Sequence, residues 1–476
     1  MKKLCIFLLL LLICKLSTGQ ASIEPFPGMV KTDPRLVVRT GYLLVPEDHH
    51  KPAGKKIKLP FLFVRRPDQD AHKNITLYMA GGPGYSATAG FDSIRYNAGF
   101  LRYGGFIAFD QRGTKRAQPS LDCTEVNEAI KQSYRENKSR DSLVLNAVKG
   151  CREKFIRQGI DLSAYTTTQS AEDVNALRLA LGIDSLILSG ISYSGSLMLA
   201  VVKQHPEAVR MLLLDSPLPN FINYEEWGLS NIDEALDQIF TNAAKDSSNQ
   251  SLYGNLKTRF RQYFTKIHEK KFTTRYLEKG TKDSISIRYT KNELLDAIIG
   301  RLNAYEIKTV PGMINDIING YHTPYIQEVL DGYFAGDKDV AMGMRYSVYC
   351  SGQIAFANRE VMQQQEQLHP WLAGYAFNNV DHTICSCWNV KPEPLSAKTP
   401  VSSNIPVLIS GGDADRLCRP FFNRQLQQYL PNSQSLLFHD KGHGAGFAAD
   451  GIIYIDAFMK EPYKKMTSSS PKHIVQ

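Results

Sequence analysis

Beyond its first fourteen residues the chain has no apolar run approaching the roughly 20 residues a membrane-spanning helix needs, so no stable membrane insertion is expected. It has no block of lysine and arginine, which argues against a nucleic-acid partner. It has no internal repeat, which excludes a solenoid or an array. It also lacks the cysteine spacing of a structural zinc site. Cys385 and Cys387 are separated by one residue instead of two to four, and no second close pair matches them. No metal and no cofactor is therefore expected.

What remains is an ordinary globular composition: 476 residues, 43% hydrophobic and 22% charged, enough for one large domain with an insertion or for two domains. The N-terminus has its own character. Lys2 and Lys3 precede the apolar stretch Leu4–Cys14, and Ser17 and Gly19 put small residues where a signal peptidase cuts. Residues 1–19 read as a signal peptide cleaved after Gly19, and the protein as secreted or periplasmic. Cys14 follows Leu12 and Ile13, not the small residues of a lipoprotein site. Losing this segment removes three lysines and no acid, so the formal charge falls from +9 to +6. Of eight cysteines six remain (Cys123, Cys151, Cys350, Cys385, Cys387 and Cys418), enough for up to three disulfides in an oxidising compartment.

From about residue 35 to 220, β-rich runs alternate with helical stretches, the pattern of an α/β domain with a mostly parallel sheet. Val37–Val45 and Ile57–Val64 read as an opening hairpin. Ile75–Met79 and Gly105–Phe109 are apolar strands that run into glycine-rich turns, where such sheets place their chemistry. Ser170–Leu181 reads as a helix, with Ser170 and Asp173 resembling a capping box. Residues 222–395 change to helical segments with no run of buried strands, a mainly helical cap inserted into the core. Strand–helix alternation returns after Pro406, so residues 20–221 and 396–476 form the two parts of one core. The tail after Met466 reads as frayed.

The chemistry centres on Gly190-Ile191-Ser192-Tyr193-Ser194-Gly195, between a buried strand and a helix. Such a turn is a nucleophile elbow: small residues flank the serine because larger side chains would collide, and the hydroxyl emerges at the sheet's edge with the next amide facing a developing oxyanion. Ser194 departs from the usual glycine. A serine hydroxyl needs a base to take its proton and an acid to orient that base. Candidates follow later strands. Asp413 and Asp415 lie after Val407–Ser410, His439 and His443 after Ser435–Phe438, and Asp215 after an earlier strand; His443, between two glycines, suits a projecting base.

At these motifs the chain resembles the proline iminopeptidase and secreted tripeptidyl aminopeptidase family of α/β-hydrolase serine peptidases. The resemblance covers nearly the whole mature chain. It rests on Gly81-Gly82-Pro83-Gly84, Asp110-Gln111-Arg112-Gly113, Gln118-Pro119-Ser120-Leu121-Asp122-Cys123, Tyr165-Thr166-Thr167 with Asp173 and Leu177-Arg178, and Cys385 with Cys387-Trp388. It implies Ser192, Asp415 and His443 as the triad and the Gly82 and Tyr193 amides as the oxyanion hole. Asp413 stays a second choice, because Cys418 and Arg419 depart from the family's pattern after the acid. Ala80, Lys115 and Ser194 are further departures, the first favouring the tripeptidyl branch. The resemblance supports a Cys123–Cys151 disulfide, and Cys350 is expected to pair with Cys385 or Cys387. Cys418, three residues past Asp415, is expected to steady its loop.

The implied activity is an exported serine aminopeptidase acting on short peptides, with the cap limiting access. An exopeptidase needs a carboxylate for the substrate's ammonium. None stands in Tyr349–Gln353, which leaves Glu225 and Glu226. Fold and triad do not select the acyl group, so a serine esterase or lactonase is a second reading, and a catalytically silent binding protein of the same fold a third. No oligomeric state follows from the sequence.

Overall fold

The computed structural model describes residues 21–26, 28–245, 253–303, 306–446 and 451–476; residues 1–19, expected to be a signal segment, lie outside them. Short apolar runs bounded by turn residues form the strands of one sheet: β1 (Ser22–Pro25), β2 (Val37–Pro46), β3 (Lys56–Arg65), β4 (Ile75–Met79), β5 (Phe106–Phe109), β6 (Leu186–Ile191) and β7 (Val209–Asp215). Two more strands, β8 (Phe272–Leu277) and β9 (Ser284–Tyr289), pair only with each other. The main sheet then resumes with β10 (Val407–Gly412), β11 (Ser433–Phe438) and β12 (His473–Val475).

The ten strands run in the order β1-β2-β3-β5-β4-β6-β7-β10-β11-β12. From β5 to β11 every neighbour is parallel, while β1, β2, β3 and β12 pair antiparallel at the two edges. The central strands bury both faces, as in parallel sheets covered by helices, and their side chains form the main core with Leu77, Leu188, Leu212 and Ile409 at its centre. The helices Thr167–Ala180 and Tyr193–Gln204 pack beside each other against this core.

Between β7 and β10 the chain is mostly helical, with a core of its own around Ile232, Phe260, Leu294, Ile298 and Ile314. The β8–β9 hairpin in this stretch was not expected. Its residues alternate between exposed and partly or fully buried, so they lack the continuous apolar run that marks a buried strand.

Two local expectations change. The tail is not frayed throughout: β12 pairs antiparallel with β11, and Ser435 and Gln476 exchange backbone hydrogen bonds. It covers what would otherwise be an open sheet edge. The helix expected to start near Ser170 begins at Thr167, capped by the Thr166 hydroxyl, which accepts from Gln169 N–H. Asp173 is not a cap. It is buried inside the fold, where its carboxylate takes Arg112 through two parallel bonds of 2.7 and 2.8 Å and His49 at 2.7 Å.

Arg112 is itself fully buried and donates further to the carbonyls of Glu47 and Ala164. Burial raises the Asp173 carboxyl's pKa, but the Arg112 and His49 interactions outweigh it and hold the pKa below its ordinary value. Removing one member of such a pair strands a buried charge, which costs roughly 3–5 kcal/mol. Asp173→Asn is therefore expected to lower the denaturant midpoint strongly, read by circular dichroism; an unchanged midpoint would show that the pair contributes little.

Candidate active site

The turn from β6 into the helix Tyr193–Gln204 holds Ser192 at φ 57° and ψ −126°, a backbone state that a non-glycine residue adopts only under surrounding constraint. Several contacts impose it. A side chain at Gly190 would meet the Ser194 carbonyl at 2.9 Å, and one at Gly81 would meet the Ile191 carbonyl at 2.8 Å. Ser194, the departure from glycine, is put to use: its hydroxyl accepts from Ile191 N–H at 2.7 Å and lies 2.9 Å from the Met79 carbonyl, to which it donates. That stitches the elbow to the end of β4. Leu218 N–H and Gly195 N–H both donate to the Ser192 carbonyl, closing the turn.

The rival acids and bases sort themselves into pairs. His443 Nδ1 lies 2.9 and 3.0 Å from the two carboxylate oxygens of Asp415, whereas His439 Nδ1 lies 2.9 Å from Asp413. The register explains this. Gly412 of β10 stands opposite Phe438 of β11, so the next residues, Asp413 and His439, meet first, and Asp415 meets His443 farther out. Asp215 is occupied elsewhere, accepting from the Ser410 hydroxyl and Gly446 N–H at 3.0 Å each.

Asp415 is fully buried, and the amides of Leu417 and Cys418 donate to its Oδ1. Burial raises its pKa, but the His443 interaction and those amides outweigh it, so the carboxyl stays below the usual range. An ionised Asp415 accepting from Nδ1–H leaves His443 Nε2 as the proton acceptor.

Ser192, Tyr193, Gly82 and His443 line one cavity of about 590 Å³. The glycine-rich loop Gly81–Gly84 on its wall is braced from behind. Gln111 donates to the Ala80 carbonyl at 2.8 Å, and Asp110 accepts from Thr88 N–H and the Ser86 hydroxyl at 2.8 Å each. From the opposite side Arg345, on the helix Met342–Gly352, donates to the Gly82 carbonyl at 2.9 Å and to Asn378 and Asn379.

Cys418 also lines the cavity, with its thiol in hydrogen-bond contact with the Ser192 side chain. Burial, and then the Asp415 charge, push this thiol's pKa far above its ordinary value, so it stays un-ionised and does not compete as a nucleophile.

The proposed ammonium partners separate. Glu225 is buried one layer behind the wall, where Asn378 donates to its Oε1 at 2.6 Å. Burial pushes its carboxyl up to about 7, against the opposing effects of Asn378 and Arg345. Glu226 is not brought to the cavity: its Oε1 accepts from Asn223 and from Asn358 N–H. Three charged cavity residues escaped the sequence reading. These are Asp337, whose Oδ2 accepts from the Tyr85 hydroxyl at 2.8 Å, Arg345 and Arg416. Asp337 and Arg345 stand in segments with no local motif, and Arg416 follows Asp415 at a position the motif leaves open.

Cys123–Cys151 and Cys350–Cys385 form disulfides, two instead of up to three. Residues 385 and 387 point about 200° apart around the helix His382–Trp388. Cys385 thus meets Cys350, while Cys387 turns toward the charges of Arg152 and Lys149 and stays free, as does buried Cys418.

A mostly parallel sheet with a strained serine at a strand–helix turn and a histidine paired to a buried aspartate on later loops defines a serine hydrolase of the α/β-hydrolase kind. The chain belongs to that family: the description "alpha/beta hydrolase fold" matches residues 105–449. Over 223 residues, 44% of this chain, it is 28% identical to a tripeptidyl aminopeptidase from Streptomyces lividans, a match spanning 40% of that relative. Over 192 residues, 38% of this chain, it is 27% identical to serine protease Hip1 of Mycobacterium tuberculosis, spanning 36% of it. Among solved structures, serine hydrolase CCSP0084 from Cycloclasticus zankles aligns over 89% of this chain and 96% of its own, at 13% identity and a TM-score of 0.36. An esterase from Exiguobacterium antarcticum aligns over 86% and 97%, also at 13% identity and a TM-score of 0.36.

If Asp415 orients the base, Asp415→Asn lowers kcat on the order of 10³–10⁴-fold, because the amide favours the wrong imidazole tautomer, while Asp413→Asn changes it by only a few-fold. Steady-state kinetics on any cleaved ester checks this, and the reverse ranking would move the acid to Asp413.

Proposed function

We propose that this protein is an exported serine aminopeptidase that cleaves short peptides near their N-terminus. Ser192 attacks the peptide carbonyl, and His443 takes its proton and passes it to the leaving amine. Asp415 holds the imidazole, and the Gly82 and Tyr193 amides receive the oxyanion. The observation that carries this reading is the pair of buried Asp415 and half-buried His443 opening on the same cavity as the strained Ser192. A binding protein would have no need to keep all three.

The peptidase part is supported by the two relatives, one called a tripeptidyl aminopeptidase and one a serine protease. The cavity's size suits a short chain, not a folded protein. Asp337 on its wall and Glu225 one layer behind are the carboxylates we assign to the substrate's ammonium. Export is supported by the two disulfides. Among the described residues no helix is long and apolar enough to cross a membrane.

A fluorophosphonate probe is expected to label the wild type and not Ser192→Ala, and the wild type to cleave free-amine peptides in preference to N-blocked ones. Absence of labelling would overturn the hydrolase mechanism. Equal cleavage of blocked and free peptides, with faster turnover of a short aryl ester, would favour the esterase reading instead.

The charge on Glu225 supplies a second signature. Its carboxyl is raised to about 7, so it is neutralised as the pH falls through that value and its attraction for an ammonium is lost. The ratio of kcat/KM for a free-amine peptide to that for a neutral ester is expected to fall below pH 7, and Glu225→Gln to flatten that fall. Taking the ratio cancels pH effects on the hydrolytic groups that both substrates share.

A further inference from the structure

Two guanidinium groups line the cavity that holds Ser192, and they are in different states. Arg345 is spent on the protein: its donors go to Gly82, Asn378 and Asn379, and its plane lies 4.7 Å from the Tyr349 ring. Arg416, half-buried on the loop after β10, makes no hydrogen bond or ion pair with any described residue.

Its position makes this unusual. The carboxylate next to it in sequence, Asp415, is already saturated by His443 and two amides. Arg419, three residues on, shows what the loop does with an arginine it needs for itself. That side chain donates to the carbonyls of Asp413 and Asp415 and reaches Glu234. The groups whose electrostatics Arg416 shapes are phenols, Tyr224 and Tyr375, not acids. The one carboxylate on the cavity wall among the described residues, Asp337, is engaged by the Tyr85 hydroxyl and by the amides of Asp339 and Val340.

An arginine with its donors unspent in a partly closed, aromatic-walled cavity is a carboxylate receptor. The planar fork matches two carboxylate oxygens, and the reduced dielectric strengthens the pair. We propose that Arg416 binds a carboxylate of the peptide substrate and so makes the enzyme selective for short peptides that carry one within reach of the scissile bond. With Asp337 and Glu225 holding the ammonium, the cavity is bipolar and grips a zwitterionic oligopeptide at two points. This rests on the aminopeptidase reading above and names its substrate class. The carboxylate has two sources, the free C-terminus of a short peptide or an acidic side chain.

The test compares three tetrapeptides on the secreted protein: tetra-alanine with a free C-terminus, its C-terminal amide, and an amidated analogue carrying one glutamate. The wild type is expected to cleave at least one carboxylate-bearing peptide about tenfold or more faster, in kcat/KM, than the neutral amide, the scale of a charge-assisted bond. Preference for the free acid marks the chain end as the source, and preference for the glutamyl amide marks the side chain. Arg416→Gln is expected to bring that ratio close to one, and Arg416→Lys to keep part of it.

Equal rates on all three peptides with the wild type would overturn the inference without any variant, so a folding defect in Arg416→Gln cannot protect it. A preference that survives Arg416→Gln in a protein with native circular dichroism would also overturn it. If the wild type labels with fluorophosphonate but cleaves none of the peptides, the aminopeptidase reading fails and takes this inference with it, an outcome distinct from cleavage without preference.

Discussion

The site depends on a backbone constraint at one residue. Ser192 sits at φ 57°, which costs a non-glycine residue of the order of 1–3 kcal/mol and persists only where its surroundings leave no alternative. Those surroundings are the buried centre of a parallel sheet. β6 is locked between β4 and β7, Gly190 leaves no room for a side chain, and the Ser194 hydroxyl ties the turn back to the end of β4. The rigidity presents the hydroxyl at the carboxyl edge of the sheet without spending binding energy on ordering it at each turnover.

Around that point the protein builds the cavity from parts distant in sequence. The Asp110-Gln111-Arg112-Gly113 turn is a set of anchors: Asp110 grips the Ser86–Thr88 segment, Gln111 the start of the glycine-rich loop at Ala80, and Arg112 the helix that carries Asp173. Arg345 then clamps Gly82 from the far side of the cavity. The disulfide Cys350–Cys385 joins Arg345's helix to its neighbour, so the bracing of the Gly81–Gly84 loop is tied to a covalent link. Amide donors stabilise charge well only when they are already aimed, and this arrangement holds the loop from two sides.

The tight turn at Ser192, the glycine-rich loop after β4 and the strand–helix alternation are local patterns, and all were legible before the structure. Which aspartate pairs with which histidine was not decided by the residues themselves. Asp413 and Asp415, and His439 and His443, lie close together in sequence, and either assignment satisfies the chain order. The opposition of Gly412 and Phe438 pairs Asp413 with His439 and leaves Asp415 for His443. The same holds for Cys385 against Cys387, separated by the helix period. Asp173 was misread as a cap, since a capping box and a buried ion-pair partner look alike until the arginine sixty-one residues away is in place.

The sequence by itself determined the fold class and the tight strand-to-helix turn that carries Ser192, because each rests on spacing within a few residues: a period, a tight turn, a small residue where a large one would clash. Only the tertiary structure decided what surrounds the reacting bond. Asp337 and Arg345 reach the cavity from segments with no motif of their own, Arg416 from an open position beside Asp415, and Glu226 turns away from it while Glu225 stops one layer behind. Which charges face a substrate depends on which segments the chain packs together across hundreds of residues, and on which of their groups the protein has already satisfied; neither is written in any local stretch.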